Sequence, residues 1–148
     1  MSIERFIGDR VYLDTNVFIY FVEGHPLFAD ALRDLFVAID EGSIAATTSE
    51  LTLAEVMVKP IAMSRPDIAA EYAALLARGS AIDVRPIDRA TLLRGAELRA
   101  QFGGRAFDAI HVASAERANS DYILSEDRRL VVSPPLHHVR LSELKDTA

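Results

Sequence analysis

The sequence has no cysteine among its 148 residues and only two lysines, Lys59 and Lys145. The absence of cysteine excludes disulfides, thiol nucleophiles and cysteine-ligated zinc or iron–sulfur sites, and it fits a reducing compartment. No apolar run approaches the roughly 18 residues that a membrane-spanning helix needs. Five of the first sixteen residues are charged, which leaves no apolar segment for a secretory signal. We therefore expect a cytoplasmic protein without membrane association.

The composition is that of a folded domain. Half of the residues are hydrophobic, 26% are charged and the mean hydropathy is +0.14, which excludes a disordered or low-complexity protein. A chain of this length buries roughly 70% of the surface that its unfolded form exposes, so it can hold a core. No linker or repeat divides the sequence, and we predict a single domain over residues 1–148.

The charge is negative overall, −6 at pH 7, which argues against a protein that coats nucleic acid electrostatically. Fourteen of the sixteen basic residues are nevertheless arginine. Arginine makes planar, bidentate contacts with phosphates and carboxylates that lysine cannot make. A GC-rich genome explains the same bias, so both interpretations stay open.

Short apolar runs alternate with longer amphipathic segments along the chain. The runs predict strands at 11–13, 43–46, 82–85, 122–124 and 139–141. The amphipathic segments predict helices over 15–22, 27–40, 66–78, 88–101 and 105–117. A capping box of Thr47 and Glu50 predicts a further helix through Val58, stopped by Lys59-Pro60. This alternation is typical of an α/β domain with a mainly parallel central sheet.

Two acidic residues follow predicted strands. Asp14 comes directly after Val11-Tyr-Leu, and Asp127 comes shortly after Tyr122-Ile-Leu. In open α/β sheets, ligands bind beyond the carboxyl ends of the strands, so both carboxylates are candidates for a site. Aspartate also commonly ends a strand and caps the next helix, and that structural role explains either residue equally well.

Two further acidic residues lie on predicted helices. Glu55 is the only charged residue between Leu51 and Val58, and a carboxylate on such an apolar segment needs a cation or hydrogen-bond donors. Asp108 lies near the start of the helix after Gly103-Gly104, where the helix dipole also favours it. His111 lies one turn beyond Asp108. This D-x-x-H spacing could form a metal pair, although a packed, hydrogen-bonded histidine is the commoner case.

Carboxylates that converge on one site repel each other, so such a site must hold cations. Oxygen ligands without cysteine fit hard ions, Mg²⁺ or Mn²⁺. These ions support phosphoryl chemistry by clamping the phosphate and activating a water. Because the chain has 22 acidic residues, the spacing alone is weak evidence.

The sequences around these four acids resemble, in order, the four motifs of PIN domains. Val11-Tyr-Leu-Asp-Thr-Asn-Val-Phe-Ile-Tyr is similar to the opening motif, and Thr48-Ser-Glu-Leu-Thr-Leu-Ala-Glu-Val to the helix that bears the family's glutamate. Phe107-Asp-Ala-Ile-His-Val-Ala-Ser-Ala resembles the third motif, and Ile123-Leu-Ser-Glu-Asp-Arg-Arg-Leu the fourth. By size and layout the resemblance is closest to VapC-type toxins of bacterial toxin–antitoxin modules.

The resemblance implies a three-layer α/β/α sandwich and a Mg²⁺- or Mn²⁺-dependent endoribonuclease. It also implies a homodimer, a heterotetramer or larger assembly with the antitoxin, and inhibition by an antitoxin tail in the active-site groove. By position, the metal-binding and catalytic acids are Asp14, Glu55, Asp108 and Asp127, and the supporting polar residues are Thr15, Asn16 and Ser125. The family often has Thr-Asn-Asp where this chain has Ser125-Glu126-Asp127, so either Glu126 or Asp127 could be the fourth acid; the spacing favours Asp127.

Three arginines are candidates for RNA phosphate contacts because they lie close in sequence to the third and fourth acids: Arg105, Arg128 and Arg129. Solvation or pairing with nearby acids explains them equally well. Apolar residues on the helices at 51–58 and 66–78 would suit a dimer interface, although a core role is the default (Met57, Ile61, Met63, Tyr72, Leu75 and Leu76).

Other functions remain possible on the sequence. A haloacid-dehalogenase-like phosphatase needs a second aspartate two positions after the first, where this chain has Asn16. A non-catalytic PIN fold that binds RNA or protein would not require a cluster of like charges. A housekeeping RNA-processing nuclease stays as a further alternative within the catalytic interpretation. The RNA target and the number of metal ions cannot be predicted from the residues.

Overall fold

A computed structural model describes residues 3–144, which fold around a central sheet of five strands. The strands are β1 (Arg10–Leu13), β2 (Ala45–Ser49), β3 (Ile82–Arg85), β4 (Tyr122–Leu124) and β5 (His137–Val139). All neighbouring pairs are parallel, in the order β3-β2-β1-β4-β5. The predicted α/β class with a mainly parallel sheet is confirmed.

Helices connect the strands. They are α1 (Thr15–Glu23), α2 (Ala29–Asp40), α3 (Glu50–Val56), α4 (Val58–Ala62), α5 (Pro66–Leu75), α6 (Arg89–Phe102) and α7 (Ala106–Arg117). Short 3₁₀ turns at Ile3–Phe6 and Leu141–Leu144 flank them. None of the helices within residues 3–144 has the length and apolar character that crossing a membrane requires.

Each face of the sheet packs against its own hydrophobic cluster. Alternation along β1 sends Val11 and Leu13 into one cluster, with side chains of α1, α2 and α5, and Tyr12 into the other. The second cluster includes Leu98 of α6 and buried alanines of α7 (Ala109, Ala113 and Ala115). These small side chains let α7 lie close to the sheet. The result is the three-layer α/β/α sandwich that the resemblance implied.

The strand order reverses at the centre of the sheet. From β1 the chain moves outward through β2 to β3, crosses back to β4 on the other side of β1, and continues to β5. Ligands of open α/β sheets bind in the crevice at such a switch point, beyond the carboxyl ends of the strands. Here those ends are Leu13 and Leu124, which are register partners. Asp14 and Ser125 follow them directly.

The predicted start of the third helix is wrong. Residues 45–49 form β2, and Thr47 lies within the strand instead of capping a helix. Its hydroxyl donates to the Asp83 carbonyl, 2.9 Å away, and Thr48 donates to the Leu13 carbonyl at 2.8 Å. Threonine suits both caps and buried strands. Thr47 lies in a strand because residues 45–49 pair with β1 on one side and with β3 on the other. Ser49 precedes α3 without a side-chain cap.

Three predicted boundaries also differ. Lys59-Pro60 does not end the helical region, because Pro60 lies in the first turn of α4, where a missing N–H costs little. Helix α5 ends at Leu75 instead of 78. The last strand is His137–Val139, paired with β4, and Leu141 already belongs to the 3₁₀ turn. In contrast, α6 begins at its predicted start, where Asp88 caps the helix and accepts from the Thr91 N–H at 2.9 Å.

Candidate active site at the carboxyl edge of the sheet

Asp14 ends β1 and caps α1, and it is only 6% exposed. Its Oδ1 accepts from the Thr15 backbone N–H at 2.8 Å, and its Oδ2 accepts from the Ser125 hydroxyl at 2.6 Å. A buried carboxylate is costly unless donors compensate its lost hydration. The two short hydrogen bonds compensate Asp14 and fix its orientation.

Ser125 is the link between the ends of β1 and β4. Its hydroxyl donates to Asp14 and accepts from the Asp127 N–H at 3.1 Å and from the Asn16 amide at 3.2 Å. The Asn16 carbonyl oxygen accepts from the Glu126 N–H at 3.3 Å. The polar residues of the first and fourth motifs therefore form one hydrogen-bonded unit, with Ser125 at its fully buried centre.

Glu55 lies on α3 and reaches the same edge. Its Oε1 accepts from the Thr15 hydroxyl at 2.7 Å and from His111 Nε2 at 2.6 Å. Partial burial would raise the pKa of Glu55, but the hydrogen bonds from His111 and Thr15 outweigh burial and hold this pKa below its ordinary value. No group within residues 3–144 donates to Oε2, so this oxygen is open to a ligand.

His111 is 2% exposed and has a partner at each ring nitrogen. Nδ1 lies 2.8 Å from the Tyr12 hydroxyl, which itself donates to Ser49 Oγ at 2.9 Å. Nε2 donates to the Glu55 carboxylate, and Nδ1 is engaged by the Tyr12 hydroxyl. Because both ring nitrogens have partners, the predicted possibility of an Asp108–His111 metal pair does not fit this arrangement.

The surroundings of His111 favour its protonated form. Burial alone would lower its pKa, but the hydrogen bond to Glu55 and the charges of Asp14, Glu55 and Asp108 raise it above the ordinary value. Nε2 also lies 3.5 Å from Asp14 Oδ1. His111 therefore lies next to both Asp14 and Glu55 within the acidic cluster.

Asp108 and Asp127 form the other side of the cluster. Burial and the charges of Asp127 and Asp14 raise the pKa of Asp108 above its ordinary value. In the described part of the chain, no group donates a hydrogen bond to its carboxylate. Asp127 accepts from Arg129 Nε at 3.0 Å and Nη2 at 3.2 Å, and these bonds lower its pKa.

The structure separates the two candidates for the fourth acid. Glu126 accepts from Arg140 Nη2 and from the Ser142 N–H, each at 3.0 Å, on the side of the 3₁₀ turn. Asp127 is the one whose charge acts on Asp108. Glu126 is therefore held on the side of the 3₁₀ turn, and Asp127 is the one of the two that belongs with Asp108 in the cluster.

The donor set fits a hard divalent cation that keeps most of its waters. Among residues 3–144, no three acidic or histidine side chains are spaced closely enough to make one ion's ligand set. Mg²⁺ is usually bound by only one or two carboxylates together with waters. The uncompensated carboxylate of Asp108, with its raised pKa, and the open Oε2 of Glu55 are oxygens of the required type.

A groove of about 190 Å³ opens beside Asp108, between α6, α7 and the segment after β4. Arg105 and Arg129 line it together with Phe102 and Val131. Arg129 is already paired with Asp127, whereas Arg105 acts on Asp127 only through its charge. Arg128 is exposed and does not line this groove. Two of the three predicted arginines therefore lie beside the acids.

Tyr12 and Ser49 are site residues that sequence reasoning missed. Tyr12 is fully buried within β1, and the sequence pattern there predicts only an apolar strand residue. A buried phenol needs a hydrogen-bond partner, and that requirement was the one available signal. Its partners, Ser49 and His111, are 37 and 99 residues away in the sequence.

Fold and site together define a parallel α/β protein with an acidic cluster at the switch point of its sheet. The chain belongs to the PIN domain family, whose match covers residues 11–132 and so includes all four acids. Members of this family are generally nucleases. A search of curated protein sequences gives no match to the chain.

Similar solved structures come from toxin–antitoxin complexes. A chain of DNA-bound VapBC from Salmonella typhimurium matches with a TM-score of 0.71 and 15% identity, over 89% of this chain and 98% of that one. A chain of VapBC2 from Rickettsia felis, bound to a promoter DNA fragment, matches with a TM-score of 0.68 and 16% identity, over 88% of this chain and 98% of that one. A chain of VapBC-5 from Mycobacterium tuberculosis matches with a TM-score of 0.57 and 22% identity, over 89% of this chain and 98% of that one. At these identities the likeness shows the fold alone.

Proposed function

We propose that this protein is a Mg²⁺- or Mn²⁺-dependent endoribonuclease and the toxin of a toxin–antitoxin pair. The observation that carries the proposal is the gathering of Asp14, Glu55, Asp108 and Asp127, from four separate segments, at the switch point of the sheet. The raised pKa of Asp108 reflects its burial first and then repulsion by Asp127 and Asp14, which a divalent cation would relieve. The family and the toxin–antitoxin complexes of similar fold support the same function.

Asp14 and Asp108 would be the principal ligands, and Glu55 and Asp127 would complete the site through waters that the ion keeps. When bound, the ion supplies charge neutralisation and an activated water for in-line attack on the phosphodiester. Thr15, Asn16 and Ser125 hold the acids in fixed orientations through their hydrogen bonds. The residues thus contribute positioning and electrostatics, and no covalent enzyme intermediate is needed.

The RNA would approach along the groove beside Asp108. Arg105 and Arg129 provide positive charge at this groove, and Arg128 follows on the surface. A local basic rim steers a phosphate backbone even when the net charge of the protein is −6. Phe102, which is 41% exposed, offers a ring on which an unpaired base could stack.

The antitoxin would occupy a second groove, of about 210 Å³, on the other side of Glu55. Its lining is largely apolar, with Lys59 and Arg65 among its residues. An extended antitoxin segment with apolar and acidic side chains suits this lining. The solved complexes of similar fold contain toxin and antitoxin together, which supports a partner of this kind.

Exposed apolar residues support the proposed homodimer. Val58, Ile61 and Met63 are 57–69% exposed and lie in and just after α4. Two other residues proposed for the interface, Tyr72 and Leu76, are instead buried in the core. We expect a dimer by light scattering at micromolar concentration and a monomer for Ile61→Glu, whereas a monomeric unmodified protein would contradict this part of the proposal.

Cleavage of total RNA by the purified protein tests the main proposal. With Mg²⁺ or Mn²⁺ we expect discrete products that are absent with EDTA and absent for Asp14→Asn. Asp34→Asn is the matched control, because Asp34 is an exposed aspartate on α2. Metal-independent cleavage, or full activity of Asp14→Asn, would contradict the assignment. RNA binding without any cleavage would favour the non-catalytic alternative.

A further inference from the structure

We propose that His111 is a positioning residue that fixes the orientation of Glu55, and that Tyr12 and Ser49 hold His111 in place for this role. The inference rests on the proposed function, because it concerns how one acid of the proposed metal site is held in place. It concerns a chain of side chains, Ser49–Tyr12–His111–Glu55, in which each neighbouring pair is joined by a hydrogen bond of 2.6–2.9 Å. None of the first three was predicted to act on the acids.

The direction of the hydrogen bonds explains what the chain does to Glu55. His111 Nε2 and the Thr15 hydroxyl both donate to the same oxygen, Oε1, from two different elements. These two donors restrict rotation of the carboxylate and occupy Oε1. Oε2 is thereby left as the oxygen for an ion or its water. Residues that hydrogen-bond to the ligands of a metal site commonly orient those ligands in this way.

Hydrogen bonding shows why packing alone does not account for His111. The ring is 2% exposed and projects from α7 towards Tyr12 of β1. An apolar side chain of similar size would remove the hydrogen bonds to Tyr12 and Glu55. Packing alone therefore does not explain a histidine at this position, whereas the orientation of the Glu55 carboxylate does.

Two substitutions of His111 separate its two contacts. In His111→Gln the side-chain amide extends to the position of Nε2 and can still donate to Glu55. In His111→Asn the shorter amide reaches only the position of Nδ1, so the contact with Tyr12 survives and that with Glu55 is lost. Tyr12→Phe removes the hydroxyl that links His111 to Ser49 and leaves the ring in place.

Mn²⁺ binding, measured by titration calorimetry on the purified full chain without RNA, gives a readout that does not depend on cleavage. We expect His111→Asn to weaken binding by about 10- to 100-fold, His111→Gln to recover most of that loss, and Tyr12→Phe to weaken binding less than His111→Asn. Adding Tyr12→Phe to His111→Asn should cause little further loss, because both act through Glu55. Tyr122→Phe is the matched control, since Tyr122 belongs to the opposite cluster.

The outcomes distinguish this inference from the proposed function. If Asp14→Asn loses Mn²⁺ binding while His111→Asn keeps wild-type affinity, the positioning role is overturned and the metal site stands. Equal losses in His111→Gln and His111→Asn would also overturn it, because they would indicate packing alone. Should the His111 variants fail to fold, unchanged Mn²⁺ affinity in Tyr12→Phe would refute the proposal that Tyr12 holds His111 in place. If the unmodified chain binds no Mn²⁺, the proposed function fails and this inference with it.

Discussion

The two halves of the acidic cluster are built differently. Asp14 and Glu55 each accept two short hydrogen bonds from neighbouring elements, and Asp14 is almost completely buried. Asp108 accepts no hydrogen bond from residues 3–144, and Asp127 is held by a solvent-exposed arginine, Arg129. One half is oriented by the fold itself, and in the other half Asp108 lines the groove.

The two halves therefore differ in how far their carboxylates are fixed before a ligand binds. The hydrogen bonds of the Asp14–Glu55 half fix two carboxylates before any ligand binds, which reduces the cost of ordering them later. The Asp108–Asp127 half retains its mutual repulsion. We expect substitutions in the first half to affect chemistry and stability together, and those in the second half to change mainly electrostatics.

The largest effect is expected for Asp14→Asn. Losing a principal ligand of the proposed ion should lower the rate of RNA cleavage by more than about 100-fold, beyond the range typical of second-shell changes. Asp127→Asn should lose less, because its carboxylate is already shared with Arg129. Initial rates at saturating Mn²⁺ compare the two variants. Equal losses would indicate that the two halves contribute alike.

A substantial effect is expected for Ser125→Ala. The change leaves the Asp127 N–H and the Asn16 amide without their acceptor in a fully buried position. The free energy of unfolding should fall by about 1–3 kcal/mol, measured by urea titration. Cleavage should fall about 10- to 100-fold. Ser133→Ala changes an exposed serine and serves as the control; unchanged stability of Ser125→Ala would refute the linking role.

A smaller effect, of opposite sign, is expected for Asp108→Asn in the absence of divalent ions. A carboxyl whose pKa is raised in the folded state stabilises the fold below its unfolded pKa and loses that contribution as the pH rises through the folded pKa. At pH 7 the variant should therefore melt about 1–2 °C higher than the unmodified protein. The difference should vanish at pH values below the ordinary aspartate pKa.

With Mn²⁺ present, the unmodified protein should melt at a higher temperature than Asp108→Asn. The reason is that the proposed ion stabilises the unmodified chain and binds the variant more weakly. Melting curves with and without Mn²⁺ at pH 7 test both signs in one experiment. A variant that is less stable at pH 7 without metal would contradict the repulsion inferred for this half of the cluster.

The smallest effect is expected at the arginines. If Arg128 contacts an RNA phosphate, Arg128→Ala should reduce the slope of log affinity against log salt concentration by about 1. Arg129→Ala should change this slope less, because Arg129 is already paired, and it should return the pKa of Asp127 towards its ordinary value. Arg33→Ala, on α2, is the control. Unchanged slopes would remove both residues from the RNA contact.

The sequence predicted the positions of the acids better than their partners. Asp14 follows a short β-branched and aromatic run, and Glu55 is isolated in an apolar segment, so both stand out locally. The bonds that orient them come from residues far along the chain: Ser125 lies 111 positions from Asp14, and His111 lies 56 from Glu55. No local pattern encodes such pairs, because the packing of whole elements creates them.

The fold class was predictable for a related reason, and its clearest error has a physical cause. Alternating short apolar runs and amphipathic helices suffice for a parallel α/β class. Thr47 was misassigned because threonine serves as a cap or as a strand residue, and only pairing with β1 and β3 decides. The bound ion, the RNA and the dimer stay predictions, since they depend on molecules outside the chain.

The pairing of β1 with β4 has a consequence for synthesis of the protein. Asp14 is translated first, and Ser125, which completes the edge, follows 111 residues later. The contact that closes the cluster joins β1 to β4, so it forms only after β4 has been translated. A nascent chain therefore carries its first acids without an assembled cluster, and the proposed ribonuclease cannot act on RNA before Ser125 and Asp127 have been made.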